Sequence, residues 1–249
     1  MYMQDFQPDA QVLANKTILV TGAGDGIGKE AALTFARYGA TVILLGKTTA
    51  KLEAVYDAIM ANGGPEPAIV PLDLNGATKK HYHDMANTIK AEFGKLDGVL
   101  HNAGMLGVLT PFEHIDLETW QKIMQVNLTS AMLMTQALLP VMALAPQASL
   151  VFTSSGVGRR GRAYWGPYSV SKFGTEGMMQ LIADEYEHST IRTNCINPGA
   201  TRTKMRSAAY PGENQLSLKT PAELMPLYLY LMADASIGVN GQSLDAQPK

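Results

Sequence analysis

The sequence has little or none of several features that mark whole classes of protein. Of its 249 residues only Cys195 is a cysteine, which excludes an internal disulfide framework and is compatible with a reducing cytoplasm. No stretch approaches the roughly 20 apolar residues of a membrane span. The formal net charge is -2, so nothing favours a nucleic acid or a membrane surface as a partner. We therefore expect a cytoplasmic protein that binds neither.

Segments that would divide or redirect the chain are also missing. There is no internal repeat, low-complexity tract or linker. Residues 1–15 carry no basic residue and no apolar core, so we interpret them as an N-terminal extension and not as a signal peptide. His81 and His83 lie two apart on a predicted helix and face different directions, which predicts no metal site. With 46% hydrophobic and 17% charged residues, 1–249 is typical of a single soluble domain.

What the chain does contain is an alternation of short apolar runs with helical patterns, which is typical of a doubly wound α/β fold. Seven runs predict strands, and the segments between them predict helices on both faces of one mostly parallel sheet. The predicted strands cover residues 17–20, 41–45, 68–72, 98–101, 150–153, 191–196 and 243–246, and the predicted helices cover 27–39, 49–60, 78–93, 117–142, 167–187 and a last one that begins at Thr220.

A glycine-rich turn follows the first predicted strand and opens the first helix. Its spacing is Gly22-x3-Gly26-x-Gly28, where free backbone amides and a helix N-terminus can hold a pyrophosphate. The spacing differs from the GxGxxG pattern of many dinucleotide-binding folds. On spacing alone, a merely structural turn stays an open alternative.

The tip of the second predicted strand indicates which dinucleotide is favoured. An acid at this position would hydrogen-bond the ribose 2′-hydroxyl of NAD, but the chain has Gly46 and Lys47 there. Without the acid there is no repulsion toward a 2′-phosphate, and Lys47 offers a cation, so NADP is predicted over NAD. The alternative is a solvated surface lysine.

The stretch from Ser154 to Lys172 brings three polar side chains to spacings that suit carbonyl chemistry. Tyr168 and Lys172 are four apart, so near a helix start the ammonium can approach the phenol oxygen. A nearby cation favours phenolate, which predicts a pKa of Tyr168 below the usual value of about 10. Ser155 follows an apolar strand and is expected at the carboxyl edge of the sheet, where α/β folds bind ligands.

Several motifs occur in a characteristic order between residues 16 and 247, namely Thr21-Gly22-x3-Gly26-x-Gly28, Asp73-Leu74, Asn102-Ala103-Gly104, Asn127, Ser155, Tyr168-x3-Lys172 and Pro198-Gly199-x3-Thr203. In this order and spacing the chain resembles the short-chain dehydrogenase/reductase (SDR) family in its ordinary, non-extended form, and looks closest to a bacterial group of predicted oxidoreductases. Two departures stand out. His101 replaces a common asparagine, and Gly24 replaces a serine often placed to reach the 2′-phosphate, which weakens the NADP prediction without overturning it.

The resemblance implies a catalytic tetrad. In it Tyr168 exchanges a proton with the substrate oxygen, Ser155 orients and polarises that oxygen, Lys172 lowers the tyrosine pKa and holds the nicotinamide ribose, and Asn127 supports a water that relays protons. The loop-like run within 201–218 predicts a substrate lid, and the resemblance implies a homodimer or homotetramer built from paired helices. The cofactor-binding residues that it implies are Gly22, Gly24, Asp25, Gly26, Ile27, Gly28, Lys47, Asp73, Leu74, Asn102, Ala103, Gly104, Tyr168, Lys172, Pro198, Gly199, Thr201 and Thr203.

The implied function is the NADP(H)-dependent interconversion of an alcohol and a ketone or aldehyde, with a small molecule as substrate. An alternative is an NADP-binding regulatory protein with little or no turnover. The basic residues of two loops, Arg160 and Arg206 among them, motivate the further hypothesis that the substrate is an anion. Solvated loop charges or ion pairs between subunits explain the same residues.

Overall fold

The computed structural model describes residues 6–248, which form one seven-stranded sheet with helices on both faces. All neighbouring strands are parallel, so the predicted mostly parallel sheet is parallel throughout. The strands are β1 (Thr17–Thr21), β2 (Thr41–Gly46), β3 (Ala68–Pro71), β4 (Gly98–His101), β5 (Ala148–Thr153), β6 (Ile191–Asn197) and β7 (Ser243–Asp245), in the order β3-β2-β1-β4-β5-β6-β7.

The helices pack in two layers, each over its own apolar core. The helices are α1 (Gly26–Arg37), α2 (Thr49–Ala61), α3 (Lys79–Phe93), α4 (Leu117–Met124), α5 (Ser130–Met142), α6 (Gly166–Glu185), α7 (Lys204–Ala209) and α8 (Met225–Met232). One core joins α1, α2 and α8 to the sheet, and the other joins α3, α5 and α6 to the opposite face. Because both faces are covered, β1, β4 and β5 are buried along their whole length, which is why their sequences are apolar runs and not alternating patterns.

The strand order places a crevice between β1 and β4. From β1 the chain winds outward to β3, then crosses back to β4 and continues outward in the other direction. Ligands of open α/β sheets bind beyond the carboxyl ends of the strands at such a reversal. The fold therefore directs the glycine turn after β1, the loop after β4 and the Ser155 segment after β5 to one edge.

The long helix predicted over 117–142 is interrupted, and the prediction of one continuous α-helix was wrong. A π-helical turn, Gln125–Thr129, separates α4 from α5, and Ser130 donates its backbone amide to the carbonyl of Gln125. The extra residue in the turn changes which side chains face inward, and Asn127 is buried here. Its side-chain hydrogen bonds, described below, offset the irregular backbone.

Two other segments differ from their predictions. The 201–218 segment is not only loop: Thr203 accepts a hydrogen bond from the Arg206 amide at 3.2 Å and so caps the short helix α7. The last helix begins with a 3-10 turn, Pro221–Leu224, before α8, although Thr220 forms the expected cap.

The predicted N-terminal extension is described only in part. Residues 1–5 lie outside the described residues. Of the rest, Leu13 is fully buried and Phe6 packs edge-on against Tyr230 at 5.3 Å between ring centroids, so residues 6–15 contribute to the core. No helix within 6–248 is long and apolar enough to cross a membrane, and no cluster of three metal-ligating side chains occurs in that range.

Candidate active site and cofactor cleft

A cleft of about 450 Å³ opens at the carboxyl edge of the sheet, at the β1–β4 reversal. Its walls include nearly every residue singled out from the sequence. The expected residues on the walls are Gly22, Gly24, Asp25, Gly26, Ile27, Lys47, Asp73, Leu74, Asn102, Ala103, Gly104, Ser155, Tyr168, Lys172, Pro198, Gly199, Thr201 and Thr203. Gly28 and Asn127 lie behind the walls, where they pack and position other groups.

The glycine turn has the geometry of a cradle. Gly22 and Gly26 have φ angles of +68° and +55°, which favour glycine. A Cβ on Gly28 would lie 2.4 Å from the Gly22 carbonyl oxygen, so a side chain there would push α1 away from β1. Across the cleft, Thr203 faces Gly26, whose Cβ would lie 3.7 Å from its methyl group. The open space above the start of α1 fits a pyrophosphate held by backbone amides.

Asp25 caps α1 and is surrounded by cations. Its Oδ1 accepts the Gly26 amide at 2.9 Å, and its Oδ2 lies 2.6 Å from Lys51 Nζ and 3.3 Å from Lys204 Nζ. The hydrogen bond from Lys51 is the main reason that the pKa of Asp25 lies below its ordinary value. The carboxylate of Asp25 is therefore ionised and its charge is compensated by Lys51 and Lys204, which lie at the same end of the cleft.

Lys51 is a cleft residue that the sequence analysis missed. It lies in the first turn of α2, four residues after Lys47, and both lysines line the cleft. A Cβ on Gly24 would lie 2.9 Å from the Lys51 Cβ, so glycine at position 24 leaves room for Lys51. The four-residue spacing of the two lysines at a helix start was a usable signal.

The loop after β4 is fixed by Thr21. The Thr21 hydroxyl oxygen accepts the backbone amides of Asn102 and Ala103 at 2.9 and 3.0 Å, and the Asn102 side chain donates to the Thr21 carbonyl at 3.3 Å. A side chain on Gly22 would approach the backbone of Ala103 to 3.1 Å. The two loops that flank the reversal are thus held close, with small residues where they meet.

Tyr168 and Ser155 meet at the floor of the cleft. Tyr168 is in the first turn of α6 and is 7% exposed. Burial raises the pKa of Tyr168 to about 12, and a hydrogen bond with the Ser155 side chain opposes part of that rise. The prediction that Lys172 brings the pKa of Tyr168 below its usual value is wrong. Lys172 Nζ lies 5.7 Å from the centre of the tyrosine ring, and desolvation of the phenolate is the main influence on the pKa of Tyr168.

Lys172 lies deeper than its neighbour. It is 5% exposed, and its Nζ donates to the Thr153 carbonyl at 2.6 Å. Burial lowers the pKa of Lys172 to about 8. A Cβ on Gly158 would lie 2.8 Å from the Lys172 Cβ, so this glycine, which the sequence analysis passed over, lets the Ser155 segment pack directly on α6.

Asn127 holds the loop after β4 from behind. Its Oδ1 accepts the Met105 amide at 2.7 Å, and its Nδ2 donates to the Met105 carbonyl at 2.9 Å and to the Ser171 hydroxyl at 3.1 Å. A Cβ on Gly104 would lie 3.5 Å from Asn127 Oδ1 and 3.9 Å from Lys172 Nζ, so both groups converge on that loop. Asn127 also lines a small cavity of about 10 Å³ that reaches Lys172. Such a cavity, with several polar groups on its walls, suits a buried water.

The segment after β6 forms the wall opposite the glycine turn. Gly199 has a φ of +71°, and its amide donates to Asn197 Oδ1 at 3.2 Å. Near the C-terminus, Gln247 Nε2 donates to the carbonyls of Pro198 and Ala200 at 2.8 and 2.9 Å. Sequence reasoning gave no role to Gln247, although it ties this wall to the end of the sheet.

The walls of the cleft carry many apolar side chains, and an aromatic ring lies beside Tyr168. Trp165 lies 5.7 Å from the Tyr168 ring, between centroids, and the apolar side chains on the walls of the cleft include Met105, Leu106, Val126, Met205 and Ala209. Arg206 also reaches the wall, but its guanidinium contacts both carboxylate oxygens of Glu213 at 2.5 and 2.6 Å and stacks 3.8 Å above the Tyr210 ring.

The other basic loop residues are divided between structural contacts and solvent. Arg159 pairs with Asp245 at 2.8 Å, and Arg202 donates to the carbonyls of Gln215, Leu216 and Leu218. Arg160 is exposed and does not line the cleft. Two of the cations therefore stabilise the fold of their own loops.

Comparisons with known proteins agree with this geometry. A family model described as short chain dehydrogenase matches residues 16–214. A curated protein of Escherichia coli strain K12, the uncharacterized oxidoreductase YciK, is 52% identical over 243 residues, which cover 98% of this chain and 96% of that protein. Two solved structures match nearly the whole chain. The matches include 97% and 96% of this chain and 100% of each of the two related chains. An Escherichia coli CFT073 chain complexed with NADPH has a TM-score of 0.95 at 53% identity, and a Shigella flexneri 2a chain complexed with NADP has 0.94 at 52%.

Proposed function

The chain belongs to the short-chain dehydrogenase family, and we propose that it interconverts an alcohol and a ketone or aldehyde by hydride transfer with NADP(H). Tyr168 serves as the acid/base in this proposal. The observation that carries it is the contact of Tyr168 with Ser155 in the first turn of α6, with Lys172 one turn further, at the floor of a cleft lined by the glycine turn. These groups can face one substrate oxygen while a dinucleotide lies along the same cleft.

In the direction of reduction, Tyr168 and Ser155 would each donate a hydrogen bond to the substrate carbonyl oxygen. The bound dinucleotide supplies the hydride to the carbonyl carbon. As negative charge develops on the oxygen, Tyr168 gives up its proton. A pKa of about 12 keeps the free tyrosine a phenol at neutral pH, which is the form that this direction requires.

The remaining polar groups would hold the dinucleotide and return the proton. Lys172 is placed to bond the ribose and to stabilise the tyrosinate after proton transfer. Asn127 and the small cavity beside it support a water that connects Lys172 to further donors. The backbone amides at the start of α1 are expected to bind the pyrophosphate.

The preference for NADP over NAD rests on two cations. Lys47 and Lys51 line the cleft beyond β2, where no acid stands to receive a ribose 2′-hydroxyl. Within residues 6–248, Lys47 makes no ion pair, and Lys51 neutralises Asp25. The related chains crystallised with NADP and NADPH support the same preference.

We propose a neutral carbonyl compound as the substrate, in place of the anionic one considered from the sequence. The walls of the cleft carry aromatic and aliphatic side chains, Lys172 is assigned to the dinucleotide and Tyr168, and the guanidinium of Arg206 is already paired with Glu213. If Arg206 left this ion pair to bind an anionic substrate, the Glu213 carboxylate would lose its partner. The mainly apolar lining can instead bury the uncharged substituents of a ketone or aldehyde.

We also propose a homo-oligomer. On α6 the side chains that do not face the cleft include Phe173, which is 46% exposed, and Leu181, which is 64% exposed. Gly174 lets α6 pack closely on Leu128 of the π-helical turn, and α6 also packs against α4, so the exposed apolar side chains of α4 and α6 adjoin. Ile182, on the same helix, is buried in the core and is not available for such a contact.

The proposal is tested by following NADPH oxidation across a panel of neutral and carboxylated ketones and aldehydes. Tyr168→Phe should lower kcat by about 100-fold or more and leave NADPH binding within about twofold, because the ring and its packing remain. Carbonyl reduction that survives Tyr168→Phe would contradict the role of the tyrosine. NADPH binding without turnover on any substrate would favour the regulatory alternative.

A further inference from the structure

A buried carboxylate lies beside the groups described above without a role in the proposed chemistry. Glu176 is one helical turn beyond Lys172 on α6 and is 7% exposed. One of its oxygens, Oε1, accepts hydrogen bonds from the hydroxyls of Ser154 and Ser243, the latter at 2.8 Å. Arg159 Nε lies 3.5 Å from the same oxygen. The carboxylate is therefore buried but well partnered.

The contacts of Glu176 extend across the carboxyl edge of the sheet. Arg159 donates to the Ser243 hydroxyl at 2.9 Å and to Asp245 at 2.8 Å, and Asn197 donates to the same Asp245 oxygen at 2.8 Å. These bonds join α6 to the loop after β5 and to β6 and β7. A network with this many satisfied members fixes the relative positions of the elements that carry it.

Two parts of the network touch the reaction site. Ser154 immediately precedes Ser155, and its amide donates to the Ile196 carbonyl at 2.7 Å, so the bond to Glu176 fixes the segment from which Ser155 projects. On the other side, Glu176 and Lys172 are four residues apart on one helix and share a face. The Lys172 ammonium donates its hydrogen bond to the neutral Thr153 carbonyl, so the buried cation is stabilised by a negative charge nearby.

We propose that Glu176 is a positioning residue for the reaction: its carboxylate fixes the Ser154–Ser155 segment and supplies the negative charge that keeps Lys172 protonated. This inference rests on the proposed function. The electrostatic part of it concerns Lys172 itself and can be measured without turnover.

Burial is the main influence on the pKa of Lys172, and Cys195 and then Glu176 oppose it. Because burial raises the pKa of the Cys195 thiol, the thiol is neutral near pH 7, which leaves the Glu176 carboxylate as the nearby negative charge. Tyr168 on α6, Cys195 on β6, Tyr228 on α8 and His101 on β4 are all neutral near pH 7. Burial raises the pKa values of the two phenols and the thiol and lowers that of the imidazole. Asp245 on β7 is more exposed and is paired with Arg159. Glu176 raises the pKa of Lys172 and thus opposes the effect of burial.

The test follows the titration of Lys172 by carbon-13 NMR of labelled lysine side chains in the full chain without ligand. The midpoint in the unmodified protein should lie near 8. Glu176→Gln keeps an oxygen for the two serine hydroxyls but removes the charge, and should lower the midpoint by about one pH unit. Arg159→Gln removes the counter-cation of Glu176 and should shift the midpoint in the opposite direction, to higher pH.

A matched control is Asp97→Asn. Asp97 is equally buried and accepts the Thr17 amide at 2.9 Å, but it precedes β4 at the opposite edge of the sheet. The Asp97→Asn variant should leave the midpoint of the Lys172 titration unchanged. An unchanged midpoint in Glu176→Gln, or an equal change in Asp97→Asn, would overturn the proposal. Should Glu176→Gln not fold, Arg159→Gln decides: an upward shift supports the proposal and an unchanged midpoint overturns it.

The pH profile of carbonyl reduction connects the titration to the reaction. The activity lost on the alkaline side should move to lower pH in Glu176→Gln by the same amount as the Lys172 midpoint. A profile that stays in place while the midpoint moves would overturn the positioning role. Shifted midpoints with no turnover in any variant, the unmodified chain included, would instead refute the proposed function and leave the electrostatic link standing.

Discussion

At the scale of single residues, burial changes the chemistry that sequence spacing suggests. The spacing of Tyr168 and Lys172 predicts an acidified phenol, yet both side chains are less than a tenth exposed. Desolvation disfavours the charged form of each, so the phenol pKa rises and the ammonium pKa falls. Spacing places two groups on one helix face, whereas the surrounding protein sets their proton affinities.

His101 illustrates the same effect away from the cleft. Its ring stacks on Phe152 at 4.8 Å between centroids, and its Nε2 lies 3.0 Å from the Thr135 hydroxyl. Burial lowers the pKa of His101 to about 3, whereas an unfolded histidine has a pKa of about 6.5. The residue that departs from the family pattern is thus a neutral core side chain.

This burial predicts acid sensitivity. Below pH 6.5 the unfolded chain binds a proton at His101 that the folded chain excludes, so the free energy of unfolding should fall by about 1.4 kcal/mol per pH unit, or about 2 kcal/mol at pH 5. Chemical denaturation at pH 7 and pH 5 measures it. The His101→Asn variant should lack this loss in the free energy of unfolding, whereas His83→Asn, at an exposed position, should retain it. Equal pH dependence in all three proteins would contradict the prediction.

Lys51 gives a second prediction at this scale. Lys51→Met should reduce the preference for NADPH over NADH by about tenfold, because one cation near the expected 2′-phosphate is removed. Dissociation constants from fluorescence titration of both dinucleotides measure the preference. Lys29→Met, an exposed lysine of α1 outside the cleft walls, is the matched control. An equal loss of affinity for both dinucleotides would mean that Lys51 acts only through Asp25.

At the scale of elements, irregular segments carry much of the positioning. The π-helical turn at Gln125–Thr129 presents Asn127 to the backbone of Met105. If residues 117–142 formed a regular α-helix, the side chains after the turn would be rotated about the helix axis by the angle that separates two consecutive residues. Hydrophobic periodicity could not reveal the turn, because apolar residues continue on both sides of it.

Asn127→Ala tests this role. The variant leaves the Met105 amide and carbonyl without their side-chain partner, so the free energy of unfolding should fall by roughly 1–3 kcal/mol. Hydrogen exchange of the Met105 amide should accelerate more than that of the β4 amides. Gln121→Ala, at an exposed position of α4, should change neither quantity. Unchanged exchange at Met105 would show that the loop does not depend on Asn127.

At the scale of the whole molecule, one layer of helices leaves apolar side chains uncovered. Leu117, Val170, Phe173 and Leu181 are between 41% and 68% exposed, and all belong to α4 or α6 on the same face of the sheet. In a homo-oligomer a second copy of the chain would cover them. Their exposure follows from the two-layer packing and was not visible in the helical periodicity alone.

The oligomer is tested by Phe173→Asp combined with Leu181→Asp. Two buried charges cannot be accommodated in an apolar interface, so the mass from light scattering should fall to the 26.8 kDa of one chain. Met60→Asp, on the exposed face of α2, should keep the mass of the unmodified protein. A 26.8 kDa mass for the unmodified chain at micromolar concentration would refute the oligomer.

The sequence by itself determined the order of strands and helices, the glycine turn and the four-residue spacing of Tyr168 and Lys172. Apolar runs of strand length, glycines with required φ values and helical spacing are local properties, so they can be recognised in the chain. Only the tertiary structure decided the π-helical turn at Asn127, the pairing of Arg206 with Glu213, the approach of Lys51 to Gly24 and the place of Glu176 beneath Lys172. Each of these depends on the three-dimensional course of the chain, which brings side chains from different elements together or changes the direction in which they point, and hydrophobic periodicity carries no record of it.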